Sequence, residues 1–487
     1  MRKRSLLAVL AVSLLAQGCG KGALPPPVAA LAVPTSASPP VASVAPSTDA
    51  VRQDEQPAPG GPWIGVSAEG SVLSATTRET FLGVWVDAPA QKLGPARRGP
   101  MEVALVVDTS GSMSGSKIVA AREAASALVR AMRDGDIVAL DAFSNEAETI
   151  VQPTVLNAAT RELILGEIRR LTASGATNMF AGLTLAQSQL SLAPPTHAIR
   201  RVVVLSDGQA TRGPSTPELL GSVARQGLRF GAQVTSLGIG IDYDERTLNA
   251  IAIQTNGRLH HVVEPHETAG VLETELALVD ATLANDAFVE IVAAPGVEIL
   301  RAEGLPGEHF GGGLRIPLGA LHAGQHREAL VRVRIVDPAA FGAQQRPLAS
   351  VRLRFRDAAE GNLERIQEVV ARTQLSSDAR AVSANADART HGMIAMRESA
   401  EAQILAAQRI NDGNFEEAER ELDRARQSLL AQANTMKNAH EKRRLEAAAT
   451  RVEQTRVATR AMPAQPKAMQ RAGTLKMNHA AMHDLGY

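Results

Sequence analysis

Between residues 101 and 280 the chain alternates short apolar runs with helical stretches, and this alternation restricts the possible folds more than any other feature. The apolar runs lie at 103–107, 137–143, 202–206, 233–239 and 258–263. The helical patterns lie near 116–133, 159–172, 179–191, 216–229, 244–255 and 266–281. Strands that alternate with helices build a mostly parallel, doubly wound sheet. The sequence therefore predicts an α/β domain over residues 101–280.

The segments on either side of this domain have different patterns. Short β-rich runs separated by Gly, Pro and Asp occupy residues 281–375 and predict a small antiparallel β-sandwich. Residues 70–88, within an N-terminal segment spanning 63–100, read as two strands, and a lone hairpin is only marginally stable in water. We therefore expect this β segment to pair with the sandwich, which makes the α/β domain an insertion; a separate β-ribbon packed on the α/β domain is the alternative. Residues 380–487 have a helical pattern.

The N-terminal residues have the features of an export signal. Residues 1–19 begin with three basic side chains, continue with an apolar stretch too short to span a bilayer, and end at Cys19. The residues before Cys19 resemble a bacterial lipoprotein box, so we expect this cysteine to be lipidated, with ordinary signal cleavage as the alternative. Residues 20–62 hold ten of the 26 prolines and predict a disordered, extended linker. The expected location is the cell envelope, with a lipid anchor in the outer membrane.

The overall charge argues against a nucleic-acid-binding protein, and the cysteine content argues against a disulfide-stabilised one. Lys+Arg and Asp+Glu both total 51, and this balance argues against nucleic acid as the partner, because nucleic-acid-binding proteins usually have a strong basic excess. The chain contains a single cysteine, so an exported form has no internal disulfide and depends on packing and bound ions for stability.

A cluster of oxygen-bearing side chains follows the first apolar run of the α/β domain. Asp108, Ser110 and Ser112 lie in one turn directly after residues 103–107. A carboxylate and two hydroxyls are hard ligands, which suit Mg²⁺, Mn²⁺ or Ca²⁺ and suit soft metals poorly. The first apolar run therefore ends in a candidate metal site.

Two later segments add oxygen atoms of the same kind. Thr177 lies in a loop that opens a helix, and Asp207 follows the apolar run at 202–206. In open α/β sheets, ligands bind at the carboxyl ends of the strands where the winding direction reverses. If the strand near 103 is the first and the strand near 202 is the fourth, Asp108 and Asp207 flank that point.

In this pattern the chain resembles the von Willebrand factor type A (VWA) family. Asp108, Ser110, Ser112, Thr177 and Asp207 match the five positions of its metal-ion-dependent adhesion site (MIDAS), and the flanking regions are similar to those of bacterial VWA lipoproteins. The resemblance implies that the three hydroxyls bind the ion directly. It also implies that the two aspartates act largely through waters, and that an Asp or Glu carboxylate of a partner protein completes the coordination.

The resemblance implies a recognition protein rather than an enzyme. We expect a divalent-cation-dependent adhesion or scaffolding protein; the alternative is a VWA accessory subunit of an ATPase-driven assembly or chaperone system. A metal-dependent hydrolase is disfavoured because no general base or nucleophile stands beside the candidate site. Nucleotide binding is disfavoured because Ser116 and Ile118 stand where a phosphate-binding loop requires Gly and Ser or Thr.

A group of histidines near the last strand leaves a second metal site open. His260, His261, Glu264 and His266 lie close together in the sequence. Successive side chains of a strand point to opposite faces, so His260 and His261 cannot both enter one site. A role in an edge strand is the alternative.

Overall fold

The computed structural model describes residues 63–90, 99–262, 275–341, 344–358 and 360–485. The predicted signal, the lipidation site Cys19 and the linker at 20–62 lie outside these residues. No helix in the described part of the chain is long and apolar enough to cross a membrane.

The elements follow one another in four groups. Three strands come first: β1 (Ile64–Ala68), β2 (Val72–Ser74) and β3 (Glu79–Asp87). The α/β group contains β4 (Met101–Asp108), α1 (Ser116–Ala131), β5 (Ile137–Phe143), β6 (Ala147–Val155), α2 (Ala158–Arg170), α3 (Met179–Leu190), β7 (Ile199–Ser206), α4 (Pro217–Gln226), β8 (Ala232–Ile239), α5 (Glu245–Gln254) and β9 (Leu259–Val262). Seven strands follow: β10 (Thr282–Ala293), β11 (Val297–Ala302), β12 (Glu308–Phe310), β13 (Gly313–His322), β14 (His326–Ile335), β15 (Arg346–Asp357) and β16 (Leu363–Ser376). The last group is helical: α6 (Ala379–Ala384), α7 (Ala388–Asn411), α8 (Phe415–Thr435), α9 (Ala439–Ala461) and α10 (Lys467–Asp484).

The α/β group forms one six-stranded sheet in the order β6-β5-β4-β7-β8-β9. Its pairs are parallel except for β5 with β6, which is antiparallel. The chain runs from β4 to one edge of the sheet and then returns to build the other half from β7. The winding direction therefore reverses between β4 and β7, and the predicted α/β fold class is confirmed.

The central strand β4 shows why the sequence specifies this architecture. All eight of its residues are buried. Val103, Leu105 and Val107 join one apolar core, and Ala104 and Val106 join the core on the other face. A strand covered by helices on both faces must be apolar throughout, unlike a strand with one wet face.

The remaining strands form a sandwich whose pairs are antiparallel except for β2 with β16. Its two sheets have the orders β1-β3-β14-β11 and β12-β13-β10-β15-β16-β2. Strand β3 pairs with β14, and β2 pairs with the end of β16. Trp63 stacks on Phe355 of β15 with ring centroids 4.7 Å apart. The chain thus leaves the sandwich after β3, forms the α/β sheet and returns at β10. Residues 63–90 contain three strands, whereas the sequence predicted two at 70–88; the additional strand is β1.

The C-terminal helices contact both β units. Arg444 of α9 pairs with Glu328 of β14 at 2.7 Å. Leu475 of α10 is buried within the apolar core of the α/β sheet. Arg471 of α10 donates a hydrogen bond of 3.1 Å to the backbone carbonyl of Tyr243. The helical region is therefore packed against the rest of the described structure.

A carboxyl group buried beneath α10 makes the stability of the fold depend on pH. Glu245, the first residue of α5, is 6% exposed and accepts a hydrogen bond of 2.9 Å from Asn478 of α10. Burial raises the pKa of Glu245 to about 7. The unfolded chain ionises this carboxyl at lower pH than the folded chain, so folding stability falls as the pH rises from about 4.5 to about 7 and the loss remains above that range. Glu245→Gln should therefore raise the free energy of unfolding at pH 8 by on the order of 1–3 kcal/mol.

Denaturant unfolding at pH 4.5 and pH 8 measures this effect. The gain in Glu245→Gln should be present at pH 8 and absent at pH 4.5. Glu416→Gln is the matched control, because Glu416 also lies in the first turn of a helix but is exposed and forms no ion pair with a described residue. An equal gain at both pH values would show that burial of the charge is not the cause.

Candidate metal centre

The two predicted aspartates lie at the ends of neighbouring strands. Asp108 is the last residue of β4, Asp207 directly follows β7, and both are fully buried. One carboxylate oxygen of Asp108 accepts a hydrogen bond of 2.9 Å from the backbone N–H of Ser110, and the other accepts one of 2.5 Å from the Ser206 hydroxyl. The structure therefore places both carboxylates at the point where the winding reverses.

The surroundings of Asp108 oppose its negative charge. Burial raises the pKa of Asp108 to about 6, and the hydrogen bonds from Ser206 and Ser110 only partly offset this cost. Both of these donors are neutral. A cation next to this carboxylate would favour its ionised form, as an opposite charge within about 4–6 Å does in general.

The hydroxyls after β4 have a spacing that fits an octahedral ion. The Ser110 and Ser112 hydroxyls are hydrogen-bonded to each other, with their Oγ atoms 3.0 Å apart. Two oxygens at right angles around Mg²⁺, each at about 2.0–2.1 Å, are about 2.9 Å apart. Ser110 is 1% exposed, whereas Ser112 is exposed, so the site is buried on one side and open to solvent on the other.

The Thr177 loop is bonded to both other loops of the site. Gly111 N–H donates to the Gly175 carbonyl at 2.9 Å, and the Thr211 hydroxyl accepts from Thr177 N–H at 3.0 Å. Gly175 has φ of 85°, a left-handed conformation that favours glycine. Thr177 is 2% exposed, and its own hydroxyl has no hydrogen-bond partner among the described residues. A hydroxyl without such a partner is available to a ligand.

The structure adds two residues that the sequence analysis did not assign. Ser206 holds Asp108, as described above. Lys117, in the first turn of α1, places its ammonium 2.9 Å from a carboxylate oxygen of Asp207. Gly240 leaves room for this contact, because a Cβ there would lie 3.0 Å from Lys117 Cε. A cation bound at this site would have to share Asp207 with the Lys117 ammonium.

Carboxylates and histidines alone do not form a metal site in the described part of the chain. No group of three or more His, Cys, Asp or Glu side chains is placed there to hold an ion. His260 Nε2 lies 2.9 Å from Glu275 Oε1, and the His261 ring packs on Tyr243 with centroids 5.2 Å apart. Glu264 and His266 lie outside the described residues. A cation near Asp108 would therefore depend on hydroxyl oxygens.

Comparison with known proteins agrees with the fold. The family model of the von Willebrand factor type A domain matches residues 103–209. An uncharacterized protein of Synechocystis sp. is 28% identical over 280 residues, which are 54% of this chain and 64% of that protein. Bovine inter-alpha-trypsin inhibitor heavy chain H1 is 28% identical over 202 residues, which are 40% of this chain and 20% of the bovine protein. The chain thus spans less than two thirds of the length of either relative.

A solved structure has the same fold over most of the chain. The von Willebrand factor type A protein from Catenulispora acidiphila superposes with a TM-score of 0.66 at 19% identity, covering 89% of this chain and 98% of that one. This similarity includes the sandwich and the helices as well as the α/β sheet. The fold is therefore that of the von Willebrand factor type A proteins, and this chain carries a von Willebrand factor type A domain.

Proposed function

We propose that this chain is a divalent-cation-dependent protein-binding protein whose ion site is a MIDAS formed by Asp108, Ser110, Ser112, Thr177 and Asp207. One observation carries the proposal: a fully buried Asp108 carboxylate, held only by neutral donors, lies beside hydroxyls whose spacing fits Mg²⁺. Mn²⁺ or Ca²⁺ can use the same oxygen ligands.

The donor set suits recognition. Ser110, Ser112 and Thr177 would offer neutral hydroxyls, so the charge of a bound ion would be only partly neutralised. The ion would supply an electron-poor position for an outside anion, and a partner's Asp or Glu carboxylate has the required charge and oxygen donors. Ser112 lies on the open side of the site, where such a carboxylate can approach.

Two polar side chains next to the site are already engaged in contacts with its aspartates. Lys117 is ion-paired with Asp207, and the hydroxyl of Ser206 is directed at Asp108. General acid–base catalysis needs a group free to exchange a proton with the substrate. These contacts support binding rather than turnover.

We also propose that the protein is displayed at the cell envelope. The support is the export-type signal at 1–19, the expected lipidation of Cys19 and the proline-rich linker at 20–62. Stable anchoring requires more than one acyl chain or a second membrane signal, and a triacylated cysteine satisfies this requirement. A linker of this composition would hold the folded part away from the membrane surface.

Isothermal titration of the full chain with Mg²⁺ tests the metal site, and retention of a glutamate-containing peptide tests the open position. We expect one saturable Mg²⁺ site, and peptide binding that is present in Mg²⁺ and lost in chelator. Absence of binding by Mg²⁺, Mn²⁺ and Ca²⁺ would refute the proposal. If Mg²⁺ bound but the glutamate-containing peptide were not retained, the ion would have a structural role only.

A further inference from the structure

A second candidate site lies at the amino-terminal ends of the strands of the α/β sheet, opposite the metal centre. A cleft of about 990 Å³ opens between the end of α4 and the outer face of the sandwich strands β10, β13 and β15. Arg200, near the start of β7, lines this cleft, whereas Asp207 follows the end of the same strand. At about 3.3 Å per residue, the two ends of β7 are roughly 20 Å apart. The cleft is therefore separate from the metal centre.

Arginine is the main charged residue of the cleft. Six arginines and three carboxylates line it: Arg200, Arg225, Arg229, Arg315, Arg354 and Arg356, with Asp286, Glu308 and Glu364. The positive excess is not spread evenly, because the two walls differ in how their arginines are paired.

The arginines of the sandwich wall are neutralised. Arg315 pairs with Glu290 at 2.6 Å and lies over the Phe288 ring at 4.7 Å. Arg354 pairs with Glu364 at 2.6 Å, and Arg356 lies 3.4 Å from Asp286. This wall therefore presents flat guanidinium and aromatic surfaces without a large net charge.

The arginines of the α/β wall form no ion pair with a carboxylate of the described residues. The side chains of Arg225 and Arg229 make no ion pair or hydrogen bond with any described residue. They are four positions apart, across the end of α4 and the 3-10 turn Gly227–Phe230, and both line the cleft. Arg200 donates to the carbonyl of Phe230 at 2.7 Å but forms no carboxylate pair within the described chain. Two guanidinium groups, those of Arg225 and Arg229, thus line the cleft without an ion-pair partner among the described residues, whereas Arg200 interacts electrostatically with Asp286 and Glu102.

We propose that this cleft binds an organic phosphate through Arg225 and Arg229. A phosphate monoester carries close to two negative charges and three terminal oxygens, and it can accept hydrogen bonds from two guanidinium groups at once. A carboxylate has one charge and two oxygens and matches two unpaired arginines less well. The volume exceeds that of phosphate and leaves room for an organic group against the Phe288 wall. Pockets of 300–1,000 Å³ are typical of small-molecule sites.

Isothermal titration with glucose 6-phosphate, in chelator so that the metal centre takes no part, tests this site. Glucose provides the uncharged comparison and inorganic phosphate the comparison without an organic group. We expect saturable binding of glucose 6-phosphate, weaker binding of inorganic phosphate and none of glucose. Arg225→Gln/Arg229→Gln should weaken binding at least about tenfold. Neither side chain has a structural partner, so the melting temperature should stay unchanged.

Arg169→Gln/Arg443→Gln is the matched control, because both arginines are exposed, lie outside the cleft and have no ion pair among the described residues. It should change the affinity less than about twofold, as expected for distant surface charges. Equal losses in the two double variants would refute a specific site, as would unchanged binding in Arg225→Gln/Arg229→Gln. Tighter binding of a hexaglutamate peptide than of glucose 6-phosphate would also overturn the proposal, since the cleft would then be an acidic-peptide groove.

Discussion

Asp108→Ala should reduce Mg²⁺ affinity by about a hundredfold or more, and carboxylate-dependent partner binding should be lost with it. Carboxylates that orient the ligands of a bound ion typically contribute 10–100-fold to affinity, and Asp108 also supplies a negative charge at the site. Its removal leaves the Ser206 hydroxyl and the Ser110 N–H without their acceptor. Titration calorimetry with Mg²⁺ measures the loss directly.

Two further variants separate metal binding from folding. Asp108→Asn keeps a hydrogen-bond acceptor and removes the charge, so it should lose Mg²⁺ affinity without losing stability. Asp141→Asn removes a similar charge from the neighbouring strand β5: Asp141 is fully buried and burial raises its pKa to about 6, yet it bonds to Thr149 and Gln189 rather than to the loops of the site. Retained Mg²⁺ affinity in Asp108→Asn would contradict the proposed centre.

Thermal melting gives a second measure of the same effect. Metal at a hundred times its Kd should stabilise the wild-type fold by roughly 2.7 kcal/mol. The midpoint of Asp141→Asn should rise with Mg²⁺ as the wild type does, whereas that of Asp108→Asn should not. An unchanged wild-type midpoint with and without chelator would show that the site binds no ion under these conditions.

The position of the candidate site was accessible from the sequence because parallel topology fixes where strand ends meet. Two apolar runs each ended next to an aspartate, and the alternation of strands and helices placed those ends on one edge of the sheet. Lys117 was not accessible in this way. Its contact with Asp207 depends on how α1 lies against the sheet and on the space left at Gly240, and neither follows from residue spacing.

The parts of the fold that were missed have weaker sequence signals. No strand was predicted at Ala147–Val155, where β6 contains Pro153 and only one buried residue. Proline is tolerated in edge strands because no neighbour requires its missing N–H, and β6 is an edge strand. Strand β1 follows the proline-rich linker and has five residues, so its pairing with β3 becomes evident only in three dimensions. Long-range pairing decides these elements, not local pattern.

Arg444→Met should lower the free energy of unfolding by about 3 kcal/mol at pH 7, because it breaks an ion pair that joins the helical region to the sandwich. Both terminal guanidinium nitrogens of Arg444 donate to Glu328, at 2.9 and 2.7 Å. Burial acts to raise the pKa of Glu328, but Arg444 and His326 together hold this pKa below its ordinary value. Without Arg444, the Glu328 carboxylate keeps, among the described residues, an ion pair with His326 at 2.7 Å and a longer one with Arg389 at 3.8 Å.

The dependence of this loss on pH distinguishes a broken ion pair from lost packing. A carboxyl whose pKa is lowered on folding contributes stability above its unfolded pKa, near 4.5, and the contribution disappears as the pH falls toward its folded pKa. The difference between wild type and Arg444→Met should therefore be full at pH 7 and smaller below pH 4. Arg443→Met, at the exposed neighbouring position of α9, should change stability by less than about 0.5 kcal/mol. If Arg444→Met lost the same free energy at pH 3.5 as at pH 7, the effect would come from the side chain's volume, and the helical region would be held to the sandwich by apolar contacts instead of this charge pair.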